Sequence, residues 1–222
     1  MSIAHGIAGP RPYTRRELVA DRIIHVLGVA SAVIGGTTLV ALIAGRDDGL
    51  ELAALLIYAV GISAMFCCSA AYNLSRTSHW RTALRRCDHA SIFVMIASTY
   101  TPFTLLRLEG AWSWGLTTAI WTIAGAGVLI KLFRPCGVRS TSAAPYLLLG
   151  WVGMVAIDPM IRSLSAETLV LIGLGGLLYT VGVLFYIFDR LPFQNAIWHA
   201  FVLAAASLHY AAVFDCVVLR GA

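Results

Sequence analysis

Residues 23–44 read IIHVLGVASAVIGGTTLVALIA, 22 positions without a lysine, arginine, aspartate or glutamate. A helix of about 20 such residues is long enough to cross the ~30 Å hydrocarbon core of a bilayer. Six further stretches share this length and apolar character, at 52–73, 89–106, 111–131, 144–161, 168–188 and 196–218. Across 222 residues the chain is 59% hydrophobic and only 12% charged, with a mean hydropathy of +0.81, outside the range of soluble globular domains. The fold class expected is therefore all-α, a seven-transmembrane helix bundle. Every connection is short, so a single domain spanning 1–222 is expected, with no room for a soluble module between spans. No internal repeat stands out, which argues against a typical secondary transporter.

Lysine and arginine decide the orientation. With the N-terminus inside, the inner segments carry 12 of them and the outer segments 4, the bias of a chain whose N-terminus is cytoplasmic and whose C-terminus is outside. The net charge of +5 then reads as a cytoplasmic collar facing anionic lipid headgroups, so membrane lipids are the expected partners and nucleic acid is not. Residues 1–22, MSIAHGIAGPRPYTRRELVADR, are polar and basic where a signal peptide needs an apolar centre, so the first span is expected to act as its own insertion signal. Residues 1–16 read as a mobile inner tail. A bacterial-type inner (plasma) membrane is the expected location. Five cysteines, Cys67, Cys68, Cys87, Cys136 and Cys216, form no C-x-x-C pair and are odd in number, so they read as reduced packing residues.

The topology also assigns a depth to each polar side chain. Spans 1, 3 and 7 begin on the inner side and span 2 ends there. Glu17, Asp21 and His25, Ser69 and Asn73, Asp88 and His89, and Asn195 and His199 accordingly fall at one level. Polar groups inside a bilayer are costly and face the bundle interior or water, which makes this layer the candidate site. Asn195 and His199 lie four residues apart on one helical face, the geometry that His-x-x-x-His pairs use to hold a cation.

Each residue also has a structural reading. Asp88 and His89, following RTALRRC, suit the first turn of span 3 as caps. Ser69 can bond its own helix, and Asn73 can cap an interfacial helix end. Glu17 and Asp21 flank Arg16 and Arg22 as solvated pairs, and His25 fits a buried, hydrogen-bonded side chain. His209 lies ten residues beyond His199, about 15 Å along the axis and too far to share a cation with it. Asp158 and Asp215 sit toward the outer ends of spans 5 and 7, outside the layer.

The stretches ELVADRIIHVLG, SAAYN, RRCDHASIFVMIASTYTPF, LPFQNAIWH and FVLAAASLHY together resemble the hemolysin III family, the bacterial branch of the progestin and adipoQ receptor superfamily. The resemblance runs over nearly the whole chain. It implies seven spans with the N-terminus inside and a zinc site near the cytoplasmic leaflet. Its ligands would be a histidine closing a Ser-x-x-x-His motif on span 2 and two histidines at the start of span 7, with an aspartate beside the metal-bound water. Those positions are Asn73, Asn195 and His199, with Asp88 and Ser69 in the aspartate and serine positions. Two of the three ligands are asparagine.

An amide oxygen is a poor zinc donor compared with imidazole. No resident cofactor is therefore expected, and any zinc would be held weakly. Asparagine keeps the hydrogen-bonding capacity of the pocket. The expectation is a degenerate metal site, in which Ser69, Asn73, Asp88, Asn195 and His199 form a polar network inside a protein that binds or senses lipid or alters membrane permeability, cytolysis by the family's name. The alternative implied by the superfamily's kinship with ceramidases is a zinc-dependent lipid amide hydrolase, with Asp88 acting on the metal-bound water. An ion conductor using His25, His199 and His209 is a third reading.

Overall fold

Thr14 starts the first helix, because its hydroxyl accepts the Glu17 N–H at 3.3 Å while the Glu17 carboxylate takes the Thr14 N–H at 2.7 Å. This reciprocal capping satisfies two donors that a helix start otherwise leaves open. The computed structural model describes residues 13–75, 79–133, 139–188 and 191–220. The tail at 1–12, together with Arg76, Arg134, Cys136 and Arg190, which entered the sequence reading, lies outside the described residues.

Helix α1 covers Arg15–Ile43, α2 Gly49–Leu74, α3 Arg81–Arg107 and α4 Gly110–Phe133. After these come α5 (Arg139–Gly150), a 3-10 turn (Val152–Ala156), α6 (Ile157–Ser163), α7 (Ala166–Ile187) and α8 (Gln194–Val213), which ends in a π-helical turn at Phe214–Leu219. Asp48 caps α2 by accepting from the N–H groups of Leu50 and Glu51, and Ser165 caps α7 by accepting from that of Thr168. Seven helical segments are long and apolar enough to cross a membrane, the fifth being the broken run Ala143–Ser163. No strand occurs among the described residues.

Helix α1 packs between α2 and α8, α3 between α2 and α4, and α5 touches α3, α4 and α7. The most enclosed span is α3, with 61% of its apolar window buried against 17–39% in the other spans. Its hydroxyls are satisfied within its own turns: Ser98, Thr101 and Thr104 donate to carbonyls three or four residues back. A helix of modest hydropathy can therefore sit at the centre. Large apolar side chains such as Ile34, Val60, Leu129 and Val170 are exposed on the outside, as a lipid-facing surface requires.

Pro102 and Pro159 both fall within the spans. Pro102 lies inside α3, which continues through it. Span 5 breaks before Pro159, at Trp151–Ala156, and Pro159 occupies the first turn of α6, where a missing N–H removes no helical bond. The break is held by α3. The Tyr100 hydroxyl donates to the Gly150 carbonyl and accepts the Gly153 N–H at 3.0 Å, filling the place of the interrupted helical bonds.

Close helix approach depends on particular glycines rather than on all of them. A Cβ at Gly28 would lie 2.5 Å from the Phe66 ring, so α1 and α2 can meet there only without one, whereas Gly125 and Gly173 face open space. Trp80, Trp112 and Trp114 are exposed, as interfacial anchors are. Trp198 instead turns toward α7, 5.3 Å from the Tyr186 ring. Cys67, Cys68, Cys87 and Cys216 are all free thiols.

Candidate functional site

One face of α1 is buried from end to end: Glu17, Asp21, His25, Gly28, Ala32 and Gly36 succeed one another at three- and four-residue spacing. Small residues occupy the middle of that face and ionisable ones its first three turns. The acids are not solvated partners of neighbouring arginines, since Glu17 and Asp21 are 3% and 4% exposed while Arg16 and Arg22 point outward. Glu17 does structural work across the bundle. Its second oxygen accepts the backbone N–H of Phe193 at 2.8 Å. Phe193 has the left-handed φ of +57°, a strained conformation for a side chain of this size, and it immediately precedes α8. The carboxylate thus fixes where α8 starts, and with it Asn195 and His199.

One turn further along α1, Asp21 is the hub. Its Oδ1 lies 2.6 Å from His199 Nδ1, and its Oδ2 accepts from Asn195 Nδ2 at 3.0 Å. The same Asn195 amide reaches Asn73 Oδ1 at 3.4 Å, and Asn73 Nδ2 donates to the Ser69 carbonyl at 3.0 Å, with Ser69 Oγ at 3.5 Å. His25 is 4% exposed and its ring stands edge-on to that of His199, centroids 4.2 Å apart. Side chains from α1, α2 and α8 therefore form one continuous polar cluster.

Asp88 joins it from α3. It lines the same cavity as Ser69 and His199. Because α3 begins at Arg81, two turns upstream of Asp88, neither Asp88 nor His89 caps this helix; Trp80 holds the cap position and makes no side-chain bond. The His89 carbonyl accepts from the Tyr146 hydroxyl at 2.9 Å, which ties α3 to α5. His209 stands apart from the cluster, its Nε2 3.2 Å from the Ile172 carbonyl. Asp215 belongs to a separate network, accepting from Ser165 at 3.0 Å, Thr168 at 2.5 Å and Arg220 at 3.2 Å, while Asp158 is exposed.

Ser69, Asp88 and His199 form the polar end of a cavity of about 430 Å³ whose remaining wall is mostly aliphatic and aromatic, including Met95, Phe103 and Val183. His89 and His209 also line it. Met154 and Ile161, at the broken fifth span, line the cavity and are exposed on the outside of the molecule.

The zinc that the resemblance implies does not fit the residues at 73 and 195. The Asn195 amide nitrogen is aimed at the Asp21 carboxylate and at the Asn73 oxygen, and the Asn73 nitrogen at Ser69, so these amides are engaged with one another and with α1. The sequence reading gave Asp21 and His25 a smaller part than the structure does. The signal for them was their register with the glycine and alanine stripe that follows on α1.

The family model described as haemolysin-III related matches residues 15–210. Hemolysin-3 homolog of Bacillus subtilis is 32% identical over 206 residues, covering 92% of this chain and 97% of that protein. Hemolysin-3 of Bacillus cereus is 30% identical over 203 residues, covering 91% of each. The human monocyte to macrophage differentiation factor is 29% identical over 204 residues, 89% of this chain and 83% of its own. No solved structure matches. A match along nearly the full bundle, with relatives of the same length and family, means that the chain belongs to the haemolysin-III-related family of multi-pass membrane proteins.

Proposed function

We propose that this protein holds a membrane amphiphile in the cavity between α3, the broken fifth span, α7 and α8. The amphiphile's hydrogen-bonding head would lie at Ser69, Asp88 and His199 and its chain among the apolar residues. The observation that carries this reading is the composition of the wall: Ser69, Asp88 and His199 gathered in the lining of a mostly aliphatic and aromatic cavity of about 430 Å³, within the ~300–1,000 Å³ typical of ligand sites. In a bilayer, burial of an acyl chain gains little over leaving it among other lipids, so the polar end sets preference. Met154 and Ile161 supply the side of entry, because they belong both to the cavity and to the outer surface. The lysine and arginine distribution supports a polar end at the cytoplasmic leaflet, and the membrane in this reading is a bacterial inner membrane. Two relatives carry the name Hemolysin-3, and a change in membrane permeability is the corresponding output proposed here.

Native mass spectrometry of the detergent-purified protein tests this. We expect about one amphiphile per chain, and about tenfold less in Gly173→Leu. Gly173 lines the cavity and has no heavy atom within 4 Å of its would-be Cβ, so a side chain can start there and take up cavity space. Equal occupancy in the two proteins would contradict the reading. The competing reading, a metal-dependent lipid amide hydrolase, draws on the shared position of Asp88 and His199 at the cavity's end. Hydrolysis of a long-chain amide that survives in wild type and is lost in Asp88→Asn would favour it instead.

A further inference from the structure

We infer that Asp21, His25 and His199 form a binding site for a divalent transition-metal cation of the zinc class, built on different donors from those at positions 73 and 195. Each of the three offers one ligand atom, and these atoms lie within 4.8 Å of one another. Asp21 and His25 are four residues apart on α1 and so project from adjacent turns of one face, while His199 comes from α8, packed against them. Two donors on one helix and a third on its neighbour surround a common point.

The second observation is an unsatisfied atom. Among the described residues His25 Nε2 is buried without a hydrogen-bond partner, on a side chain only 4% exposed. Buried polar atoms are nearly always paired, so an imidazole nitrogen left open in an intramembrane cluster points to a ligand. A purely structural network accounts for the 2.6 Å contact of Asp21 and His199 and for the His25 ring against His199, and leaves His25 Nε2 unexplained.

The donor set suits zinc chemically. Two imidazoles and one carboxylate are a common three-residue set for a tetrahedral cation with a fourth position open. Donors at about 2.0–2.1 Å from such an ion are roughly 3.4 Å apart, so the Asp21–His199 pair need open by less than about 1 Å. The free carboxylate oxygen is already held by Asn195 at 3.0 Å, which orients Asp21 as metal sites require. Asn195 thereby acts through Asp21 rather than as a ligand. The open position would lie toward the cavity, because His199 is the donor that lines it. This inference stands independently of the amphiphile reading, since metal content is read without any lipid.

The test is zinc analysis of the full-length protein in detergent, stripped with chelator and dialysed against zinc, alongside titration with cobalt(II) followed by its visible spectrum. About one zinc per chain is expected, with a cobalt spectrum of nitrogen and oxygen donors and no thiolate charge-transfer band. Asp21→Asn and His25→Gln should each weaken binding about 100-fold or more. Circular dichroism and size-exclusion profiles check that the variants fold, and wild-type protein alone should melt at a higher temperature with zinc than without. Absence of zinc from folded wild-type protein overturns the inference. So does a thiolate band, which places the ion on the free cysteines, or undiminished binding in both variants. If the variants do not fold, the wild-type cobalt spectrum decides by the same criteria.

Discussion

At the level of single residues, the proposed site turns on the two asparagines at 73 and 195. The resemblance to the hemolysin III family implies histidine there, and the amides present are occupied by Asp21, Ser69 and each other. Restoring both nitrogen donors should therefore create a second way of holding zinc. In the Asn73→His, Asn195→His double variant we expect zinc to bind and to survive Asp21→Asn, which removes it in the otherwise native chain. Isothermal titration of the four proteins with zinc reads this, and a double variant as sensitive to Asp21→Asn as the parent would show that the pocket cannot place those donors. Sequence alone found Ser69, Asn73, Asp88, Asn195 and His199 and their common depth. It undervalued Asp21 and His25 because nearby Arg16 and Arg22 offer an easy pairing in one dimension, and only the rotation of α1 separates the acids from them.

At the level of elements, hydropathy alone located all seven spans, since the cost of exposing a backbone amide to lipid forces long apolar stretches to be helical. It could not locate the break in span 5. Span 5 contains Pro159, yet the helix gives way earlier, at Trp151–Ala156, and the reason lies on another helix: the Tyr100 hydroxyl satisfies the backbone at both Gly150 and Gly153. Tyr100→Phe removes that hydroxyl and leaves the N–H of buried Gly153 and the Gly150 C=O without it, a cost of about 1–3 kcal/mol. Thermal unfolding should show a lowered Tm for Tyr100→Phe, with hydrogen exchange increased at residues 150–157 and unchanged in α1. An unaltered Tm would mean that the turn is held by its own sequence. Because Met154 and Ile161 border the cavity, the same break that α3 stabilises also shapes the side on which the cavity meets the surroundings.

At the level of the whole molecule, the bundle separates two polar regions. At one end the first two turns of α1 meet the end of α2, the second turn of α3 and the start of α8 around Asp21. At the other, Arg46 pairs with Glu51 at 2.8 Å and Asp215 gathers Ser165, Thr168 and Arg220. The second region joins the ends of helices and stands outside the lining of the cavity, which fits a structural fastening. The first opens through Ser69, Asp88 and His199 onto the cavity of about 430 Å³, and this is the basis for placing the proposed function there. A photoactivatable fatty amide, cross-linked to the purified protein and mapped by peptide mass spectrometry, tests that placement most directly. The account predicts adducts on cavity residues such as Met65, Met95 and Val202, suppressed by Gly173→Leu. Adducts confined to outward residues such as Ile34, Val60 and Leu129, unaffected by that substitution, would contradict it.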